Sequence, residues 1–168
     1  MMAMEGLLFE KLAVIGPEGA LFIIAMIPVI EQKGAIILGA AMGLPWWDVL
    51  LVAVLGNMVP MPFVLLLGRR VFDWAKKFRV FGKIVARIEK KVASGSEKSQ
   101  GKFLLGLLCL VTVPIPGTGG WTGSLLSALM GIRLRRSLPV ICCGILLGGI
   151  IMTLGAYGIV GAFQSFVS

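Results

Sequence analysis

The chain has no histidine, only eight acidic residues and three cysteines in 168. Each shortage closes a line of chemistry. Without histidine the commonest general base and metal ligand is missing. Cys109, Cys142 and Cys143 are odd in number, lack zinc spacing and sit in apolar segments, so small buried apolar residues are the expected role. No nucleophile–base pair or metal cluster is visible, so neither an enzyme nor a cofactor is expected. The absence of a Gly-Lys-Ser/Thr element excludes a nucleotide P-loop. Acids precede the first apolar stretch and no basic segment opens the chain, so no cleavable signal is expected. Charged residues make up 14%, well below the usual quarter of a soluble domain. With 58% hydrophobic residues and a mean hydropathy of +0.98, one integral membrane domain over 1–168 is expected.

The charge that is present clusters. Residues 69–102 carry eleven Lys or Arg against three acids, and arginines follow at 133, 135 and 136. Beside apolar spans, such a block marks a cytoplasmic face rather than a nucleic-acid site. Residues 3–15 place Leu7, Leu8, Leu12 and Ile15 at helical spacing and read as a short amphipathic helix. Gly19 to Ile30 is apolar, Glu31-Gln32-Lys33 follow, and Gly34 to Trp47 is uncharged again. A spanning helix needs about 20 residues, and neither piece has them. Two forms are open for residues 19–45. One is a single helix kinked at Pro28 with Glu31 and Lys33 at its centre. The other is a re-entrant hairpin with Glu31 near its tip.

Val49 to Gly68 is uncharged and reads as a span, with Trp46, Trp47 and Asp48 at one interface and Arg69-Arg70 at the cytoplasmic one. Gly56-Asn57 and Pro60-Met61-Pro62 interrupt it at mid-depth, where an amide needs a partner. From Val71 to Val92, Trp74, Phe78, Phe81, Val85 and Ile88 complete one apolar stripe opposite lysines. This predicts a helix on the anionic cytoplasmic leaflet, with a short coiled coil as the rival. The last span is expected over 138–162, where Gly144, Gly148, Gly149 and Gly155 offer small packing faces.

Between the basic residues at 102 and 133 lies Val113-Pro114-Ile115-Pro116-Gly117-Thr118-Gly119-Gly120-Trp121-Thr122-Gly123. Two prolines and four glycines cannot continue a helix. Irregular backbone at membrane depth is tolerated only inside protein or beside a wet cavity. The apolar flanks are each about half a bilayer long, and both outer ends are basic. Residues 103–132 therefore read as a re-entrant hairpin from the cytoplasm. If 19–45 is a hairpin from the other side, the chain is all-α with two opposed re-entrant hairpins and two main transmembrane helices. They form an inverted repeat, 1–68 and 103–168, joined by the basic cytoplasmic linker 69–102.

Glu31 is the first candidate for chemistry, because an acid inside the membrane is by default a site for protons, ions or substrate. Its bland role is an ion pair with Lys33. The backbone N–H groups of Gly117 to Gly120 can face an anion if Trp121 opens a helix there, and Thr118 and Thr122 add hydroxyls. The bland role of that stretch is a tight turn. Asn57 is a third polar lining group, or a plain interhelical hydrogen bond.

Pro28-x-x-Glu31-x-Lys33-Gly34-Ala35, Gly56-Asn57-x-x-Pro60 and Pro114 to Gly123 together resemble the bacterial and archaeal small multidrug export protein family. Lys33 stands where that family usually shows arginine, and Gly120 where alanine is common. The first change keeps the charge and loses bidentate anion binding. The family looks like a distant relative of the DedA superfamily, whose members are implicated in moving lipids such as polyprenyl phosphates. The resemblance implies hairpins in both segments. It also implies functional weight on Glu31 and on Pro114, Pro116, Gly117, Thr118, Gly119, Gly120, Trp121 and Thr122.

The expected function is a proton- or ion-coupled transporter or flippase for an anionic lipid, held by Lys33 and the Gly117–Gly120 amides. An exporter of amphipathic cations with Glu31 as counter-ion is the alternative. A lipid-binding scaffold that transports nothing is the third. The expected setting is the inner membrane of a prokaryote, with membrane lipids as partners, no nucleic acid and a homodimer enclosing the path.

Overall fold

The computed structural model describes residues 16–75, 97–115 and 117–167. Among them are seven helices and no strand. They are α1 (Gly16–Met26), α2 (Glu31–Ala41), α3 (Trp46–Met58), α4 (Met61–Ala75), α5 (Glu97–Thr112), α6 (Gly120–Leu129) and α7 (Leu134–Val167). The amphipathic helix expected over 3–15 lies outside the described residues, as does most of the one expected over 71–92. Two helical stretches are long and apolar enough to cross a membrane, Trp46–Val71 through α3 into α4 and Leu134–Ile159 in α7. At 26 residues each they reach about 39 Å, more than a hydrocarbon core of roughly 30 Å. By packing, the chain forms two compact units, Met1–Val59 with Leu146–Ser168 and Pro60–Ile145.

In the first unit, α1 opens at Gly16 with Pro17 in its first turn, where a missing N–H breaks no helical bond. Pro28 disfavours helix at the residue before it, and the chain turns through 27–30. α1 and α2 then pack on each other and on α3, which replaces the single kinked helix left open above. Their shared core is Leu21, Ala25, Ala35, Ile36, Val49 and Ala53. Small residues set the spacing: a Cβ at Gly39 would meet Val49 Cγ2 at 2.6 Å, and one at Gly56 the Phe22 carbonyl oxygen at 2.4 Å. Met152, Ala156 and Tyr157 of α7 cover this core, and the Tyr157 hydroxyl donates to the Leu44 carbonyl at 2.7 Å.

In the second unit α6 packs on α4 and α5. A Cβ at Gly123 would meet Val111 Cγ2 at 2.6 Å, and one at Gly144 of α7 would meet Val111 Cβ at 2.8 Å. The buried serine hydroxyls of this unit, Ser124, Ser127 and Ser137, are partnered. Ser124 donates to Met61 Sδ at 3.3 Å, and Ser127 is hydrogen-bonded to Ser137. Both units end their short hairpin helix in the same way. Gly43 (φ +71°) donates its N–H to Ala40 and Leu44 donates to Gly39; Gly131 (φ +66°) donates to Ala128 and Ile132 donates to Ser127. Each is a Schellman turn, in which two otherwise orphan carbonyls are satisfied.

Outward faces are apolar. Leu51, Leu55, Phe63, Leu67, Leu154 and Ile159 are all exposed, as lipid-facing residues are and as a water-soluble surface avoids. This corrects the expectation for cysteine. Cys109 and Cys143 are exposed and Cys142 is half-buried, because an apolar residue in lipid need not be buried in protein. Gly155 also differs from expectation: nothing lies within 4 Å of a Cβ placed there, so it packs against no neighbour among the described residues.

Candidate functional site

The turn of the first unit concentrates strain and polarity. Val29 has φ +77° and Glu31 φ +50°, the only non-glycine residues with positive φ among those described. A left-handed conformation costs a residue with a Cβ roughly 1–2 kcal/mol. Glu31 N–H still donates to Ile27 O and Gly34 N–H to Ile30 O, both at 3.0 Å, so the turn is closed by backbone bonds. Gly34 is required, because a Cβ there would sit 2.4 Å from Ile30 Cγ2. The turn delivers Glu31, Gln32 and Lys33 into protein, all three buried. Lys33 Nζ stands 3.8 Å from Glu31 Oε2, a loose ion pair.

Asn57 lies on α3, the helix packed against α2. The two helices run antiparallel from the 42–45 loop, with Gly39 against Val49. Asn57 is 1% exposed, and both its Oδ1 and Nδ2 lack a hydrogen-bond partner among the described residues. An unmet buried amide costs about 1–3 kcal/mol. Gln32 belongs to the same set and is absent from the sequence-based candidates. Its Oε1 lies 3.4 Å from where a Cβ on Gly149 would stand. The available signal was its place between two charged residues in an apolar segment.

The Pro-Gly stretch of the second unit has a different construction. Gly119 caps α6, so the helix opens at Gly120, one residue before Trp121. The positive φ falls on Gly117 at +82°, where glycine carries no steric penalty. Both threonine hydroxyls donate inside the turn, Thr118 to Ile115 O at 2.9 Å and Thr122 to Gly117 O at 2.6 Å. Gly119 and Gly120 are buried, Trp121 and Thr118 half-buried, and Pro114, Gly117 and Thr122 exposed. Pro116 lies outside the described residues. A Cβ at Gly120 would meet Met61 Sδ at 2.7 Å. Among the described residues no three His, Cys, Asp or Glu gather where they could hold a metal ion.

Packed helices, two of them long enough to cross a bilayer, with apolar outer faces and a buried polar cluster, define an α-helical integral membrane protein. The family model described as "Putative small multi-drug export protein" matches residues 31–151. The chain belongs to this family, which is similar to the DedA superfamily. No curated protein and no solved structure matches the chain.

Proposed function

We propose that the chain exports small amphipathic molecules across the membrane, using Glu31, Gln32, Lys33 and Asn57 as its polar contact set. The observation that carries this reading is Asn57, a buried amide with no hydrogen-bond partner among the described residues, on the helix packed against the one that bears the Glu31–Lys33 ion pair. Where a buried polar group only stabilises packing, it has a partner. One left open in a membrane domain is available to a passing ligand. The family's description supports export. A cationic substrate competes with Lys33 for Glu31, and the loose 3.8 Å pair is one that a substrate can split. Glu31 is then also the group through which protons or ions couple.

The test is efflux of a cationic dye from proteoliposomes. Wild type moves the dye, Glu31→Gln does not, and Asn57→Leu folds at least as stably as wild type yet transports poorly. Wild-type rates in Glu31→Gln would end this reading. A second reading, flipping of an anionic lipid such as a polyprenyl phosphate, is favoured by the buried cation Lys33 at the same turn. Flipping of a labelled polyprenyl phosphate that is lost in Lys33→Gln, without dye transport, would replace the first reading.

The membrane placement belongs to this proposal as well. The two short hairpins are read as re-entrant, from opposite faces of an inverted repeat. The recurrence of one Schellman turn at Gly43 and Gly131 supports the repeat. Residues 69–102 are read as cytoplasmic from their positive charge, and a dimer as the working unit.

A further inference from the structure

Arg69 lies one residue beyond Gly68, where α4 presses on α6: a Cβ at Gly68 would come within 3.0 Å of Ala128 Cβ. This puts Arg69 at the level where α6 ends and the 130–133 loop begins. The residue is half-buried, and its Nε and Nη2 are covered without a hydrogen-bond partner among the described residues. A guanidinium stays charged and has no acceptor of its own, so two covered donors without a partner are unfavourable. The carbonyls of Leu126, Ser127 and Ala128 already accept from Met130, Ile132 and Gly131. Nε and Nη2 form one edge of the guanidinium fork, the edge that takes two oxygens of an oxyanion at once.

The segment that follows α6 is strongly cationic. Arg133 starts the segment whose Ser137 is bonded to Ser127 of α6, so the arginines at 133, 135 and 136 belong to the same end of this unit. Arg136 Nη1 donates to Gln100 Oε1 at 2.8 Å. The sequence has no Asp or Glu after Glu97 to balance them. We propose that Arg69 is the centre of a binding site for a phosphate-bearing anion, either a lipid headgroup at the membrane surface or free phosphate. The long stem of arginine lets the fork turn outward to meet it while its methylenes stay on apolar protein. This site is independent of the export reading and of Glu31.

The test uses the full chain in a neutral detergent. It is titrated with phosphatidylglycerol, phosphatidylcholine and inorganic phosphate, with binding read by native mass spectrometry and thermal shift. Phosphatidylglycerol is retained over phosphatidylcholine if the ligand is a headgroup; stabilisation by inorganic phosphate alone names a soluble anion. Arg69→Gln weakens retention about tenfold, the scale of a lost charge-assisted hydrogen bond. Arg69→Lys, which keeps the charge without the two-donor edge, gives an intermediate loss and covers the case in which Arg69→Gln fails to fold. Arg70→Gln, the same charge change one residue on, leaves retention within about twofold. Wild type retaining neither anion, Arg69→Gln retaining as wild type does, or equal loss in Arg70→Gln would each overturn the site. So would equal destabilisation by Arg69→Gln and Asp73→Asn with no anion bound, which would assign Arg69 to an acid one helical turn away.

Discussion

The two short hairpins turn by opposite means. The first places left-handed backbone on Val29 and Glu31, residues that resist it, and buries a carboxylate, an amide and an ammonium beside the turn. The second places its left-handed residue on Gly117 and binds its hydroxyls to its own carbonyls, with no charge in the turn. Strain held on non-glycine residues persists only where the surroundings enforce it, and it clusters at functional positions. The contrast is why the proposed chemistry is placed at the first turn, while the second closes on its own backbone. The packing follows the same division. Gly56 is pressed against a backbone carbonyl, which cannot yield, whereas Gly120 is pressed against side-chain ends, the thioether of Met61 and Cδ1 of Ile145.

The largest expected effect is on function. Glu31→Gln lowers transport roughly tenfold to hundredfold, the loss of a charge-assisted contact worth about 1.5–3 kcal/mol. Thr122→Val in the second turn changes transport far less, and parity between the two in one proteoliposome assay would erase the contrast. Next comes packing. Gly56→Ala destabilises by about 3 kcal/mol, at the upper end for overpacking, and Gly120→Ala by about 1 kcal/mol because Met61 can shift. Thermal or denaturant unfolding in detergent measures both, and a reversed order would break the comparison.

Backbone strain predicts smaller changes of opposite sign. Gly117→Val destabilises by about 1–2 kcal/mol, and Val29→Gly relieves part of a similar cost, less the entropy glycine adds to the unfolded chain. A destabilised Val29→Gly would show that the first turn holds no such strain. The smallest effect is the loss of the Thr122 hydrogen bond, about 1 kcal/mol or less at an exposed position.

Much of the helical layout was legible from where apolar runs stop. The spans, the break at Pro28 and the opening of α6 beside Trp121 follow from proline, glycine and charge, which act locally. The helix across Gly56-Asn57 is continuous, and the interruption falls at Val59–Pro60, because an asparagine can sit in a helix while proline removes a backbone donor. The choice between one kinked helix and two packed ones was not legible, since both bury the same apolar residues. Gln32 was not singled out, and Arg69 was read only as an interface marker, because what surrounds a side chain across helices is not written in the local sequence. The order of functional readings also changed: anionic lipid came first from the residues, whereas family membership favours small-molecule export.

By itself the sequence determined that this is a membrane protein, where its helices break and which family it joins, because hydropathy, proline and charge act through local chain and solvent. Only the tertiary structure decided that Asn57 is buried with its amide unmet among the described residues, that Gly56 touches a carbonyl and that Arg69 keeps two covered donors. Those facts depend on the register between helices. Register is set by the interlocking of small and large side chains from distant parts of the chain.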